Sequence, residues 1–407
     1  MARTTEDAMR FMNEENVKFV RLEFCDIYGK QKYITIPPRE LERALEGGIA
    51  ADPSAVDGLS DEARADLFLR PDPGTLALLP WSPERRRTAR MYCDAVLADG
   101  TPSPCCTRSI LKTAVRHAEE AGISFRIGSG TEFYLFRGEE EGGRAKLPLD
   151  EAGYLEQDDR GEAVRQEITL ALGELGLTPF SAHHEYGPGQ NEIVFCGADP
   201  LAAADNAMTL RSAIRAVAAE NGIRADLSPR PLENQPGSGF HIAISARGEE
   251  ERDLLSPLIA GVLDHIRELT VFLNNNPGSY SRFGKNRAPR WISWCRENRS
   301  QLIRVPAARP GENPYAELRS PDPAANPYLA FAVLIEAALD GIRRDLTPPE
   351  ETKLNLYTAP REVLSRLEPL PETFEEAAAV MKRSAFPASV LPQELTVLYG
   401  KNGVWEF

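Results

Sequence analysis

The sequence predicts an α+β protein with a small first domain and a larger second one. Segments with strand and helix signatures follow one another without the regular β-α-β alternation of a doubly wound sheet. At 407 residues the chain is too long for one small core, since a domain takes about 100–200 residues. A Pro/Cys/Ser-rich connector, TPSPCC at residues 101–106, separates a strand-rich beginning from a mixed remainder, so the boundary divides residues 1–100 from 101–407.

In the first part, Val20, Leu22 and Phe24 alternate with Arg21 and Glu23, and Ile34 and Ile36 alternate with Tyr33 and Thr35 beyond a Tyr28-Gly29-Lys30 tip. This is two strands around a turn. Pro37-Pro38 stops the second, and Arg39 to Glu46 reads as a short helix ended by Gly47-Gly48. TLALLPW and RMYCDAVL add short strands. The second part opens with a helix from Arg108 to Ala121, followed by the strand FRIGSGTEFYLF. A helix from Asp159 to Leu175, a hairpin near Pro188, a helix from Asp199 to Asn221, the strand HIAIS and a helix from Leu254 to Asn274 continue it.

Composition narrows the function. A net charge of −14 argues against nucleic acid, whose phosphates need a Lys/Arg excess, but not against a nucleotide. The opening MARTTEDAMR has no apolar signal-peptide core. The longest apolar run, Tyr328 to Leu339, is interrupted by Glu336 and falls short of the roughly 20 residues that a membrane span needs. The six cysteines form no CxxC pair, so neither a zinc knuckle nor a disulfide framework is suggested and a reducing cytoplasm is expected.

Four segments carry charge where a strand ordinarily does not. Glu132 lies inside the apolar run EFYLF, either on a solvated face or in a site. In HHEYGPGQNEIVF, Pro188-Gly189 marks a turn. If those two residues are the whole loop, Glu185 faces Glu192 across the hairpin at about 5 Å and a cation between them relieves the repulsion. A different register or a solvated pair is the alternative. In GSGFHIAIS, Ile242 and Ile244 face a core and His241, Ala243 and Ser245 the other side. In YAELRSPDP, Tyr315, Glu317 and Arg319 share a face, as a plain salt bridge or as part of a site. Four carboxylates and one imidazole form a hard, oxygen-rich set suited to Mg²⁺ or Mn²⁺ rather than zinc. Arg282, Arg287, Arg290, Arg296, Arg299, Arg304 and Arg319 cluster in the same half. Arginine forks beside an oxygen-ligated metal read as phosphoryl transfer. No P-loop or kinase motif is present.

At these residues the chain resembles the glutamine synthetases, type I-like. HHEYGPGQNEI, ADPLAAADN, PGSGFHIAIS, NPGSYSRFG, ENRSQLIRVP and ELRSPDPAANPYLAFAVL occur in the family's order, across roughly Asp52 to Tyr357. The resemblance implies an N-terminal β-grasp domain, a catalytic domain, and a homo-oligomeric ring, hexamer or dodecamer, with active sites between neighbours. It implies ATP as co-substrate, Mg²⁺ or Mn²⁺ as cofactor, and amide formation through an acyl phosphate. Matched position by position, Glu132, Glu185 and Glu192 take the first metal, and His241 and Glu317 the second. Arg282, Arg299 and Arg319 take the substrate carboxylate and acyl phosphate, and Arg304 a nucleotide phosphate. Gly237 contacts the amino-acid substrate, Ser245 the nucleotide, and Asp52 completes a neighbour's ammonium site. Tyr357 stands where some bacterial members are adenylylated; packing is its other reading.

Three departures from the family pattern change the expectation. Gly130 stands where members usually carry a metal-binding Glu. Pro236 and Ala243 replace the Asn and second His of NGSGxHxH. Arg287, in Arg287-Ala288-Pro289, replaces the Glu that helps bind ammonium. The chain also stops soon after Tyr399, at NGVWEF, so the resemblance leads to the expectation that the C-terminal helical segment that clasps two rings in bacterial dodecamers is absent. The expected function is therefore an ATP-dependent carboxylate–amine ligase forming a γ-glutamyl amide with an acceptor other than ammonia. Arg287 would stand at the substrate. The alternatives are a catalytically silent ring protein and an ordinary glutamine synthetase.

Overall fold

The computed structural model describes residues 4–56, 66–138, 147–248, 252–308 and 313–401; the terminal NGVWEF lies outside them. The chain divides into two compact units, Met1–Ile110 with Thr169–Thr178, and Leu111–Ile168 with Pro179–Phe407.

The first unit is a mixed sheet with two helices. Its strands are β1 (Phe19–Cys25), β2 (Gln31–Ile36), β3 (Ile49–Ala51), β4 (Leu67–Pro71), β5 (Ala77–Leu78) and β6 (Thr88–Val96), in the order β2-β1-β6-β4-β3 with β5 beside β6. The hairpin β1–β2 pairs Val20 with Ile36 and Leu22 with Ile34, and β1 runs parallel to β6. Val20, Leu22, Leu69 and Met91 form the core with Ala8 and Met12 of helix α1 (Thr5–Glu14) and with Leu41 and Ala44 of α2 (Leu41–Gly47). Helix α1 carries a sequence signature, Thr4-x-x-Asp7 ahead of Ala8, Met9 and Met12, which a reading of the opening as merely polar passes over. It is fixed by a capping box in which Thr4 and Asp7 satisfy each other's backbone N–H.

Two helices then follow, α3 (Thr107–Glu120) and α4 (Glu162–Glu174). The second unit is an eight-stranded sheet: β7 (Ile123–Arg137), β8 (Ser181–His184), β9 (Gln190–Ala198), β10 (Ile223–Asp226), β11 (Phe240–Gly248), β12 (Trp294–Arg296), β13 (Ile303–Val305) and β14 (Ala316–Leu318). Their order is β12-β13-β14-β11-β7-β9-β8, with β10 beside β7. Every pairing is antiparallel except β12–β13.

Alternation gives this sheet two chemically different faces. Ile127, Phe133 and Leu135 of β7, Phe240, Ile242 and Ile244 of β11, and Ala316 and Leu318 of β14 are all buried. Helices α5 (Pro200–Glu220), α6 (Leu255–Leu273) and α7 (Pro327–Arg343) bury most of their residues with them. The run Tyr328–Leu339 is thus a core helix. It starts with Pro327 behind an Asn326 cap that accepts from the Tyr328 and Leu329 N–H groups. Gly261 and Gly341 let α6 and α7 approach so closely that a Cβ on either would run into the other helix. Among the described residues no helix is long and apolar enough to cross a membrane.

Candidate active site

The opposite strand positions line a cavity of about 1440 Å³, above the usual span of about 300–1,000 Å³ for a single small ligand. Twelve of the thirteen residues singled out in the sequence line it: Glu132, Glu185, Glu192, Gly237, His241, Ser245, Arg282, Arg287, Arg299, Arg304, Glu317 and Arg319. The thirteenth, Asp52, lies in the first unit, where its carboxylate accepts from the Ser54 N–H and hydroxyl. Tyr357 also lines the cavity.

The carboxylates meet, but not across the hairpin as expected from the turn. In β8–β9, His183 stands opposite Glu192, and the Glu185 N–H donates to the Gln190 carbonyl. The pairing is therefore two residues away from the expected Glu185–Glu192 opposition. Pro188-Gly189 does form a turn, closed by the Gln190 N–H on the Gly187 carbonyl, with Gly189 at φ +66°. Pro at its second position and a left-handed Gly at its third fit type II, whose twist splays strands instead of closing a two-residue hairpin. The loop therefore lengthens to residues 186–189. A two-residue slip preserves the face, so Glu185, His183 and Glu192 still point the same way. The direct opposition of two carboxylates occurs one strand over, where β7–β9 pairs Glu132 with Glu192.

His241, on β11 opposite Gly130, sits among three carboxylates. Its Nε2 is 3.6 Å from Glu132, and its Nδ1 is 3.6 Å from both Glu192 and Glu317. These separations are too long for hydrogen bonds. Glu192 faces two ways, Oε1 towards His241 and Oε2 towards His183 at 3.4 Å, and His183 Nε2 lies 2.9 Å from Glu185. Gly130 makes this possible, because a Cβ there would collide with Oε1 of Glu192. Gly239 is constrained likewise: its N–H donates to Glu132 at 2.7 Å, and a Cβ would come within 2.6 Å of His241.

The electrostatics follow from this crowding. Burial, then the Glu185 charge, raises the Glu132 pKa to about 7. Burial and the Glu132, Glu185 and Glu317 charges push Glu192 up as well. Burial and the Arg319 charge lower His241 to about 3, so its imidazole is neutral and has a lone pair to offer. Glu317 goes the other way. Burial raises it, but Arg319, His241 and Arg304 together hold it at about 2.

The arginines surround this core. Arg304 donates to Glu317 at 2.8 Å and Arg319 at 2.9 Å, so Glu317 does form a salt bridge, shared between two arginines. Arg282, 3% exposed, donates to the Ser320 carbonyl at 3.1 Å and lies 3.4 Å from Asp322. Gly237 lies against it, since a Cβ would come within 2.7 Å of the Arg282 stem. Ser245 pairs with Arg126 along β11–β7. Arg299 has no hydrogen bond or ion pair among the described residues. Arg287 follows Asn286 in a turn where both take positive φ, 43° and 73°. Its guanidinium lies 3.7 Å from the Tyr186 ring centroid, and Tyr186 stacks on Tyr154 at 4.5 Å with 2° between planes.

Four residues not singled out in the sequence belong to this constellation. His183 has a usable signal, being two residues before Glu185 and so on the same strand face. Gln190 donates to Glu132 at 3.0 Å. Tyr154 lies outside any strand and gives no periodic signal. Tyr186 sits in the loop whose length the turn pattern hides.

Both segments of the chain match family models. Residues 16–98 match the glutamine synthetase β-grasp domain, and residues 104–406 match the glutamine synthetase catalytic domain. A glutamine synthetase of Clostridium saccharobutylicum is 36% identical over 422 residues, covering 99% of this chain and 95% of that one. A glutamine synthetase of Methanosarcina mazei is 37% identical, covering 99% and 94%. Among solved structures, a GmaS/ADP complex superposes with a TM-score of 0.86 at 26% identity, covering 97% of this chain and 94% of that one. Ligand-free GmaS does so at 27% identity with the same TM-score.

Proposed function

Because this chain belongs to the glutamine synthetase family, an ATP-dependent carbon–nitrogen ligase built from a β-grasp and a catalytic domain, we propose that it joins glutamate, or a similar acid, to an amine other than ammonia. The observation that carries this reading is the Arg287 side chain in the wall of the cavity. Ammonium is bound by negative charge. Two like charges about 4 Å apart at an effective dielectric of 20 repel by roughly 4 kcal/mol.

The donor set fits divalent cations. Glu132, Glu185 and Glu192 would hold one ion, and His241 and Glu317 another, with Glu192 offering an oxygen to each side. The 3.6 Å gaps around a neutral imidazole and two carboxylates with raised pKa values indicate a cluster that lacks its counter-charge. Hard oxygen donors suit Mg²⁺ or Mn²⁺. Bound there, such ions would neutralise charge on the transferring phosphoryl group. Arg304 and Ser245 would face the nucleotide, and the ADP named in the solved GmaS complex supports nucleotide binding by this fold. Arg282, Arg299 and Arg319 orient the acid and the phosphoryl group. A carboxylate oxygen attacks the γ-phosphorus and ADP leaves. The amine nitrogen then attacks the acyl carbon, orthophosphate leaves with the former carboxylate oxygen, and the nitrogen gives up a proton. Asp52 would serve a neighbouring subunit in a closed ring, in a reducing cytoplasm. A monomer in light scattering at micromolar concentration would refute the ring.

The test of the reaction is metal-dependent ADP release with glutamate across a panel of amines. Turnover with an organic amine and negligible glutamine from ammonia is the expected result. Ordinary glutamine synthesis is the second reading, favoured by the names of the 36–37% identical relatives. Robust glutamine formation from ammonia would establish it. No turnover with any amine would leave a silent ring protein.

A further inference from the structure

We infer that the amine acceptor carries an oxyanion, a carboxylate or a phosphate, and that Arg287, held on the face of Tyr186, reads it. This rests on the ligase reading above. The Arg287 loop is built at a cost. Asn286 tolerates its φ of 43°, but Arg287 takes φ of 73°, which costs a side chain of its kind about 1–2 kcal/mol. The turn is nonetheless closed by the Ala288 N–H on the Lys285 carbonyl at 3.0 Å, with the Asn286 amide donating to Gln235 at 3.1 Å. Strain that the surroundings maintain points to a positioned side chain.

That side chain is pre-ordered. Tyr186 lies under the guanidinium and Tyr154 lies under Tyr186, and all three line the cavity. Stacking uses the face of a guanidinium and leaves its N–H edge to bind a planar anion in two places. Tyr154 meets His183 edge-on, with ring centroids 5.6 Å apart. The column therefore leads from a cationic edge along an aromatic wall towards the carboxylate cluster.

Arg304 and Arg319 hold Glu317, and Arg282 holds Ser320 and Asp322. Arg299 is also without a hydrogen bond or ion pair among the described residues, but the ligase reading assigns it to the acid, whereas Arg287 has no such assignment and is the one seated on an aromatic ring. Among the described residues none offers the Arg287 guanidinium a hydrogen bond or an ion pair. A cationic fork seated over an aromatic ring, with no internal anion paired to it among the described residues, is complementary to an anion that arrives with the substrate.

The experiment uses the full-length protein with ATP, Mg²⁺ and glutamate. Hydroxylamine, a small neutral nucleophile, first reports whether an acyl phosphate forms, as a hydroxamate. Two matched pairs then read the acceptor site: β-alanine against propylamine, and 2-aminoethyl phosphate against ethanolamine. The wild-type protein should favour one or both anionic members by about 10- to 100-fold in kcat/KM, the worth of one charge-assisted hydrogen-bonded pair. The pair that shows the preference identifies carboxylate or phosphate. The anionic-to-neutral ratio should fall to about one in Arg287→Met, recover in part in Arg287→Lys, and drop in Tyr186→Leu, where the charge remains but its support is gone. Hydroxamate formation with a wild-type ratio near one, or a ratio unchanged in Arg287→Met, overturns this inference alone. No hydroxamate overturns the ligase reading and this inference with it.

Discussion

Two histidines in the second unit sit among acidic side chains, with opposite results. His265 is closed in on itself: its ring nitrogens lie 2.5 Å from Glu268 and 2.8 Å from Asp340, and Phe386 stacks on it. Burial pulls its pKa down, but those hydrogen bonds outweigh it and the net shift is upward. His241 has one more carboxylate nearby, each 3.6 Å away and none hydrogen-bonded to it, and its pKa falls to about 3. The first cluster satisfies itself with a shared proton. The second holds its members apart on four strands, too rigidly to close. Proximity of acids to a histidine therefore does not mark a cation site. What separates the two clusters is that the carboxylates around His241 make no hydrogen bond to its ring.

The largest effect expected on this contrast is at Glu192, the carboxylate that faces both ways. Glu192→Ala should lower metal-dependent ADP release by about three powers of ten, since charge neutralisation on a phosphoryl group is worth several kcal/mol. His265→Asn should keep the wild-type rate within a factor of about two to three. Equal rates for both variants, measured under saturating ATP and Mg²⁺, would erase the distinction between the clusters.

Gly130→Ala should come next, with a loss of about tenfold. Its methyl group would push Glu192 off its rotamer at a cost of about 0.5–1.5 kcal/mol. An undiminished rate would show that Glu192 does not depend on that space.

Metal itself sharpens the comparison. Millimolar Mg²⁺ or Mn²⁺ at about a hundred times its Kd stabilises by about 2.7 kcal/mol, a shift of several degrees in Tm. The shift should survive in His265→Asn and vanish in Glu192→Ala. An unchanged Tm for the wild-type protein would refute the cation site.

The smallest effect is the pH dependence of the self-closed cluster. The folded pKa of His265 lies above 6.5, so its contribution is complete below about 6.5 and is lost as pH rises through the folded value. Asp340, which burial raises but His265 and Arg344 lower further, contributes above its unfolded pKa and loses that contribution as pH falls. Urea melts should thus show His265→Asn costing about 1 kcal/mol near pH 6 and progressively less as pH rises through the raised folded value. A cost independent of pH would mean packing alone.

The histidine contrast also explains what the sequence could disclose. Alternation alone places His241, Ser245, Glu317 and Arg319 on one side of their strands, and all four line the cavity. Glu132 stands out as a charge inside an apolar strand. Cross-strand partners are another matter. A strand's face follows from period two, but its register follows from the loop, and Pro188-Gly189 gives the turn without giving the loop's length. The error of two residues kept every face correct and every direct neighbour wrong. The Tyr154–Tyr186–Arg287 column, built from irregular segments, was beyond any periodic reading, as was the collision between Gly130 and Glu192.

Strand β7 has a consequence for how this protein can change over evolutionary time. Its 15 residues extend for about 50 Å at 3.3 Å each, with Arg126 and Glu132 both facing the cavity. Loss or gain of one residue between them would turn everything on one side of the break inside out, sending Glu132 into the helical core and Phe133 into the cavity. Outside a bulge such as the one where β9 passes Ile127 and Ser129 of β7, which absorbs one extra residue, only paired insertions or deletions preserve the sidedness, and each pair moves Glu132 about 7 Å along the sheet. The loops around the cavity can drift in length, whereas this strand has parity. It is the part of the chain whose length selection should count in whole units of two.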